Sequence, residues 1–172
     1  MIPQIKRILY TTDLSPNSAY AFRYAVNSAK NHNADLIILH VVEKLSPQVY
    51  SMLASYMSKE QKESIFGEKI TYAKNRIEKR LKAFSEKELK EEPDLLDRII
   101  SIEVCEGYPT DVILRKADEL NCDIVVMGTH GKDSWHHSYL GSMARQILQR
   151  VRIPVFIIPL PAGEMDVTFH DI

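Results

Sequence analysis

Three glycines and a hydroxyl residue carry the most specific chemistry in this chain. Gly128, Gly131, Gly141 and Ser142 lie in the stretch MGTHGKDSWHHSYLGS, residues 127 to 142, between an apolar run and a helical segment. Glycine lets a ligand approach the backbone where a Cβ would intrude, and a helix start offers free N–H donors with a partial positive charge. That combination suits phosphate, with Gly131, Gly141 and Ser142 as the cradle. A P-loop would need glycine where Val126 stands and Ser or Thr where Asp133 stands, and a G-x-G-x-x-G run is absent. A plain turn needs fewer glycines than this single strand-to-helix loop provides.

Other reactive side chains gather near the same loop. Asp13 follows the first apolar segment, where it either complements the dipole of the next helix or meets a ligand. Thr12 and Ser142 are compatible with capping and with ligand contact, because the same backbone donors serve both. Lys132 and Arg145 flank the glycines, and a cation in a first helical turn such as Arg145 opposes the dipole unless an anion lies nearby. His130, His136 and His137 invite a metal reading. Adjacent histidines diverge on regular backbone, however, and no third ligand stands at a recognisable spacing, so no metal site is assigned. No Ser or Cys sits in a nucleophile elbow, and no catalytic residue is assigned. Trp135 and Tyr139 either pack under the loop or reach a partner.

These residues must be positioned by the elements around them. IKRILYTT (5 to 12), ADLIILHVV (34 to 42) and CDIVVMG (122 to 128) are β-branched, short and nearly continuous in apolar character, as strands covered on both faces are. A weaker strand spans RIISIEV (98 to 104), and VFIIPL (155 to 160) follows Pro154. Helical segments alternate with them. The first opens with Ser15 as N-cap and Pro16 at the first helical position, and carries Ala19, Phe22, Val26 and Ala29 on one face. A later one starts at Pro109 with Asp111 in its first turn, and the last, SMARQILQRV, turns Ala144, Ile147, Leu148 and Val151 inward. Strict alternation predicts an α/β fold: one open, five-stranded parallel sheet with right-handed crossovers and helices on both faces, with ligands beyond the carboxyl ends of the strands.

One connection is longer than a crossover requires. Between Glu43 and Asp97 only residues 63 to 90 show a helical stripe, in Ile70, Ala73, Ile77, Leu81 and Phe84. The segment 44 to 66 mixes Tyr50, Met52, Leu53, Tyr56 and Met57 with small polar residues. It reads as a surface helix covering the sheet edge in preference to a flap over a site. The tail, residues 161 to 172, has no periodicity and reads as frayed or draped on a partner.

Composition narrows the functional classes. The 172 residues amount to about one domain, residues 1 to 160, with 45% hydrophobic side chains available for a core. With 22 basic against 23 acidic residues and a net charge of −1, no charge excess points to nucleic acid or a membrane surface. Cys105 and Cys122 read as buried thiols without a disulfide framework, as suits a reducing compartment. No run approaches membrane-spanning length and no signal-peptide core stands at the N-terminus, so a cytoplasmic protein is expected.

The spacing Gly128-x2-Gly131-x9-Gly141-Ser142 resembles the nucleotide-binding branch of the universal stress protein family. So do the TTDLS turn, HVV ending the second strand, Gly107-x-Pro109, VMGTHG and IPVFIIP. The resemblance spans most of the chain, leaving out 44 to 95 and the tail. It implies a flavodoxin-like, Rossmann-like sheet ordered 3-2-1-4-5 with ATP, or AMP or ADP, across the carboxyl ends of the first and fourth strands. Carried over, Thr12 and Asp13 would meet the ribose and a phosphate-bound Mg2+, and Val41 would hold adenine through its backbone. Met127, Gly128 and Thr129 would line the nucleoside, and Gly131, Gly141, Ser142 and Met143 would hold phosphates. Family dimers commonly pair their fifth strands, which implies a homodimer through Val155 to Leu160. Three functions follow as expectations: foremost a nucleotide-dependent regulatory protein acting on a protein partner, next a slow ATPase or self-phosphorylating enzyme, and last a nucleotide-free interaction module.

Overall fold

The computed structural model describes residues 2–63, 69–129, 140–159 and 169. In chain order the elements are β1 (Arg7–Thr12), α1 (Pro16–His32), β2 (Asp35–Glu43), α2 (Pro47–Ser55), α3 (Lys59–Glu63) and α4 (Lys69–Glu88). After a 3-10 helix (Pro93–Arg98) come β3 (Ile99–Gly107), α5 (Pro109–Glu119), β4 (Ile124–Gly128), α6 (Ser142–Arg150) and β5 (Val155–Ile158). The five strands form one sheet, ordered β3-β2-β1-β4-β5, with every neighbouring pair parallel. The expected α/β architecture and strand order are therefore present.

Alternation along each strand builds the two layers. Ile8, Tyr10, Leu36, Ile38, Ile124 and Val126 join the core beneath α1 and α4, while Leu9, Ile37, Leu39, Val125 and Met127 join the one beneath α5 and α6. Successive side chains point to opposite faces, and both faces are roofed, so the central strands have no polar face at all. β1 lies in the middle, paired with β2 on one side and β4 on the other. The strand order reverses there, and the crevice at its carboxyl end is the place such sheets offer a ligand.

The start signal of α1 is realised in detail. The Ser15 hydroxyl accepts the Ser18 N–H at 3.2 Å, Pro16 takes the first position, and Asn33 ends the helix at φ 54°, ψ 42°. A left-handed C-cap suits asparagine, whose short polar side chain tolerates that conformation. The predicted inward face, Ala19, Phe22, Val26 and Ala29, is buried.

Several expectations are corrected. Residues 64 to 68 of the expected 63 to 90 helical stretch lie outside the described residues; a 3-10 turn precedes the edge strand β3, which runs on to Gly107. Within 44 to 63, α2 has no fully buried residue: Leu53 and Ala54 are half-buried, while Leu45, Val49, Tyr50, Met52 and Tyr56 are exposed. Cys122 is buried but Cys105 only half-buried, because it lies on the edge strand. In α6 Ala144 and Ile147 are buried while Leu148 is exposed, since a nine-residue helix turns only a narrow stripe to the sheet. The tail is not wholly frayed. Phe169 is fully buried, its ring 4.1 Å from that of Phe84, and its carbonyl accepts from Arg80 Nε at 2.9 Å and Nη2 at 2.6 Å. A single docked aromatic has no period for a sequence pattern to reveal. Among the described residues no helix is long and apolar enough to cross a membrane.

Candidate functional site

The turn leaving β1 is held by its own side chains. The Thr12 hydroxyl accepts the Leu14 N–H at 3.0 Å and lies 2.9 Å from the Ser18 hydroxyl. Asp13 Oδ1 accepts the Ser15 N–H at 3.0 Å, an Asx turn in which the short acidic side chain replaces a backbone acceptor. Between them Leu14 adopts φ 64°, a left-handed conformation that costs a leucine about 1 to 3 kcal/mol. Its side chain is nevertheless buried, so packing and two hydrogen bonds hold the strained turn. The consequence is positional: half-buried Asp13 stands at the carboxyl end of the central strand, over the start of α1.

Residues from neighbouring strands brace that turn. His40 on β2 stands opposite Thr12 in the register, and its Nδ1 lies 2.8 Å from the Thr12 carbonyl. Tyr10 donates its hydroxyl to the Ser18 carbonyl at 2.5 Å, and burial pushes its ionisation far above the ordinary range, so it remains a neutral donor. Val41, half-buried, follows His40 on β2. The expected adenine contact thus sits one strand over from Asp13.

β4 approaches the turn from the other side. Met127 is buried and Gly128 ends the strand opposite Ile158 of β5. No positive φ is involved at Gly128; its lack of a Cβ admits Asn17, whose Cγ lies 2.8 Å from where that Cβ would stand. The Asn17 amide donates to the Ile158 carbonyl at 3.4 Å, and the Thr129 N–H donates to the same oxygen at 3.0 Å. One carbonyl thereby joins β5, the end of β4 and the first turn of α1.

The chain leaves the sheet at Thr129 and re-enters regular structure at Gly141, and the Gly141 N–H donates to the Thr129 carbonyl at 2.8 Å. This bond fixes the base of the glycine loop. Gly141 is the N-cap of α6 and makes no side-chain capping bond, whereas α1 has a serine hydroxyl in that role. Ser142 is exposed and Met143 half-buried in the first turn. Arg145 is exposed there as well, and its guanidinium reaches back to the Leu140 carbonyl at 3.5 Å. A cation at a helix start is favourable only with negative charge close by.

The structure therefore brings Thr12, Asp13, Val41, Met127, Gly128, Thr129, Gly141, Ser142 and Met143 to the carboxyl edges of β2, β1 and β4 and the start of α6. Gly131, with His130, Lys132, Trp135, His136, His137 and Tyr139, lies outside the described residues. Three supporting residues escaped the sequence reading: Asn17, Ser18 and His40. His40 was visible inside the HVV run, where a polar side chain in an apolar strand is a signal; Asn17 and Ser18 looked like ordinary first-turn residues. A separate cavity of about 500 Å³ opens between α4 and β3, lined by Lys79, Lys82, Leu96, Ile99 and Ser101 among others. It lies at the β3 edge of the sheet, away from the end of β4 where the glycine loop is based.

Comparison with known proteins bears on the whole chain. The model of the universal stress protein family matches residues 4–159. Universal stress protein MJ0531 of Methanocaldococcus jannaschii is 29% identical over 166 residues, covering 92% of this chain and 85% of that one. Universal stress protein MJ0577 of the same organism is 27% identical, covering 89% and 94%. The solved structure of MJ0577 superposes with a TM-score of 0.67 at 22% identity, over 94% of this chain and 100% of the other. That of UspA from Lactobacillus plantarum superposes with a TM-score of 0.62 at 21% identity, over 91% and 99%. These two likenesses bear on the fold. With its sheet order, glycine-bearing β4 to α6 connection and near full-length family match, the chain belongs to the universal stress protein family.

Proposed function

We propose that the protein binds an adenine nucleotide, ATP with Mg2+ through its phosphates, at the carboxyl edge of β1 and β4. The observation that carries this reading is the hydrogen bond from Gly141 to Thr129, which ties the start of α6, where the N-cap residue has no side chain, to the end of β4 beside β1 and Asp13. An anion there meets backbone donors and a helix dipole, and it also explains Arg145 in a turn where a cation alone is unfavourable. Val41 offers backbone groups to adenine, Met127 and Gly128 an apolar wall, Asp13 a carboxylate for ribose or for Mg2+, and Gly131, Gly141, Ser142 and Met143 the phosphate cradle. The Thr12 hydroxyl is committed within the turn, so its part is to hold Asp13 in place.

The bound nucleotide acts as a state marker that alters a dimer surface or a partner contact. The donors are arranged for binding, and regulation by differential affinity needs no turnover. The dimer forms through β5, whose outer edge is unpaired among the described residues and carries Phe156 at 39% exposure. Denaturing the purified protein and identifying the released small molecules tests the ligand. An adenine nucleotide in near-stoichiometric amount is expected, and none released together with none taken up on incubation with Mg-ATP would end the proposal. Incubation with γ-labelled ATP separates retention from turnover, since label transferred to the protein or released as phosphate marks an enzyme.

A further inference from the structure

His40 is a buried polar residue in a strand whose neighbours on the same face, Leu36 and Ile38, belong to the apolar core beneath α1 and α4. Such a group needs a partner, and the imidazole Nδ1 meets the Thr12 carbonyl at 2.8 Å. A carbonyl only accepts, so Nδ1 carries the proton. The ladder between β1 and β2 ends at this pair, while β2 runs on to Glu43. The last carbonyl of β1 is thus held by a side chain of the next strand, at the point where the chain leaves the sheet.

The Thr12 carbonyl and the Asp13 N–H belong to one planar trans peptide, in which they point in opposite directions. Fixing the first aims the second away from His40. Beyond Asp13 the turn is held by Thr12 Oγ1 and Asp13 Oδ1, which accept the N–H groups of Leu14 and Ser15. What remains at Asp13 is its own N–H and its second carboxylate oxygen, neither of which has a hydrogen-bond partner among the described residues. A donor and an acceptor on one residue match a hydroxyl, which accepts and donates at once, whereas a cation would use the oxygen alone.

We propose that His40 is a positioning residue of the nucleotide site: by holding the Thr12 carbonyl it orients the Thr12–Asp13 peptide so that Asp13 engages a ribose hydroxyl. This rests on the nucleotide reading, and within it assigns Asp13 to the sugar in place of Mg2+.

Calorimetric titration with Mg-ATP and with the magnesium salt of dideoxy-ATP, which lacks both ribose hydroxyls, tests it. The parent is expected to bind the dideoxy analogue roughly tenfold more weakly. In His40→Leu, which keeps the bulk and removes the donor, Mg-ATP should weaken to the level of the analogue, whose own affinity stays as in the parent. His40→Asn, whose amide places an N–H near the position of Nδ1, should restore the discrimination. A folded His40→Leu that weakens both nucleotides equally, or that keeps the full discrimination, would overturn the proposal. So would a parent that binds both nucleotides alike. Proton–nitrogen correlation spectra of isotope-labelled parent supply a readout that needs no variant to fold: Nδ1 of His40 is expected to be protonated at neutral pH, and a bare Nδ1 would overturn the proposal. No heat from either nucleotide with the parent would instead defeat the nucleotide reading, and this inference with it.

Discussion

Gly128 and Asn17 occupy one space: the Asn17 side chain fills the volume a Cβ on residue 128 would claim, with its Cγ 2.8 Å from that point. The glycine at the end of β4 is thus required by packing against α1, in addition to whatever ligand approaches it. Asn17 is buried and bonded to the Ile158 carbonyl, so it cannot step aside without losing that contact. Gly128→Ala is expected to cost about 1 to 3 kcal/mol, as overpacking of a tight site does. Shortening the obstacle in Asn17→Ser should restore part of that loss. A double-mutant cycle by urea denaturation measures the coupling, and strictly additive effects would contradict the shared-space account.

The strained turn after β1 makes a second prediction. Thr12→Val keeps the side-chain shape but removes the acceptor of the Leu14 N–H and the partner of the Ser18 hydroxyl. Leaving buried polar groups unpaired should cost about 1 to 3 kcal/mol. The same variant should weaken Mg-ATP through displacement of Asp13, and Thr12→Ser should recover both properties. Loss of stability with full nucleotide affinity would separate the turn from the site.

Stability should fall on the alkaline side. Burial pushes the Cys122 thiol up to about 11 and the Tyr10 hydroxyl upward as well. An unfolded cysteine ionises near pH ~8.5, so the folded state is favoured fully below that value and loses this advantage as pH rises through about 11. Melting temperature followed from neutral pH to about pH 11 should therefore decline, with tyrosine ionisation appearing on unfolding. Cys122→Ala, less stable throughout because of the vacated volume, should decline less steeply. Parallel curves for the two proteins would remove Cys122 from the explanation.

The β5 edge is tested by charge. Phe156→Asp places a carboxylate on the strand proposed to meet its copy, where two such groups would face the same small interface. Sedimentation analysis should show the variant as a monomer at concentrations where the parent is a dimer, with the circular dichroism spectrum preserved. A dimer of unaltered affinity would move the interface elsewhere.

Much of this arrangement was legible in the residues, and the exceptions share a cause. Alternating β-branched runs and capped helical stripes declared the parallel sheet, because burial on both faces removes polar positions from a strand. Gly128 at the end of β4 was legible as a position that a side chain would obstruct. Asn17 was not, because its role depends on Gly128, 111 positions away, and distance in sequence hides a contact that no periodicity records. α2 leaves Val49, Tyr50 and Met52 exposed and only half-buries Leu53, and pattern alone does not distinguish a face turned to the chain's own core from one left largely to solvent. Phe169 was missed for the opposite reason: a single aromatic in a stretch without periodicity gives no pattern, although it is buried against Phe84 and bonded to Arg80.

The central claim is nucleotide binding at the carboxyl edge of β1 and β4, and calorimetric titration of nucleotide-stripped protein with Mg-ATP tests it most directly. A Gly131→Val variant, whose side chain is expected to block the proposed phosphate approach, serves as the comparison. The account predicts micromolar or tighter binding by the parent and its loss in a variant that remains folded. No heat and no competition by millimolar ATP against a fluorescent adenine nucleotide would contradict it, leaving a partner-binding scaffold of the same fold.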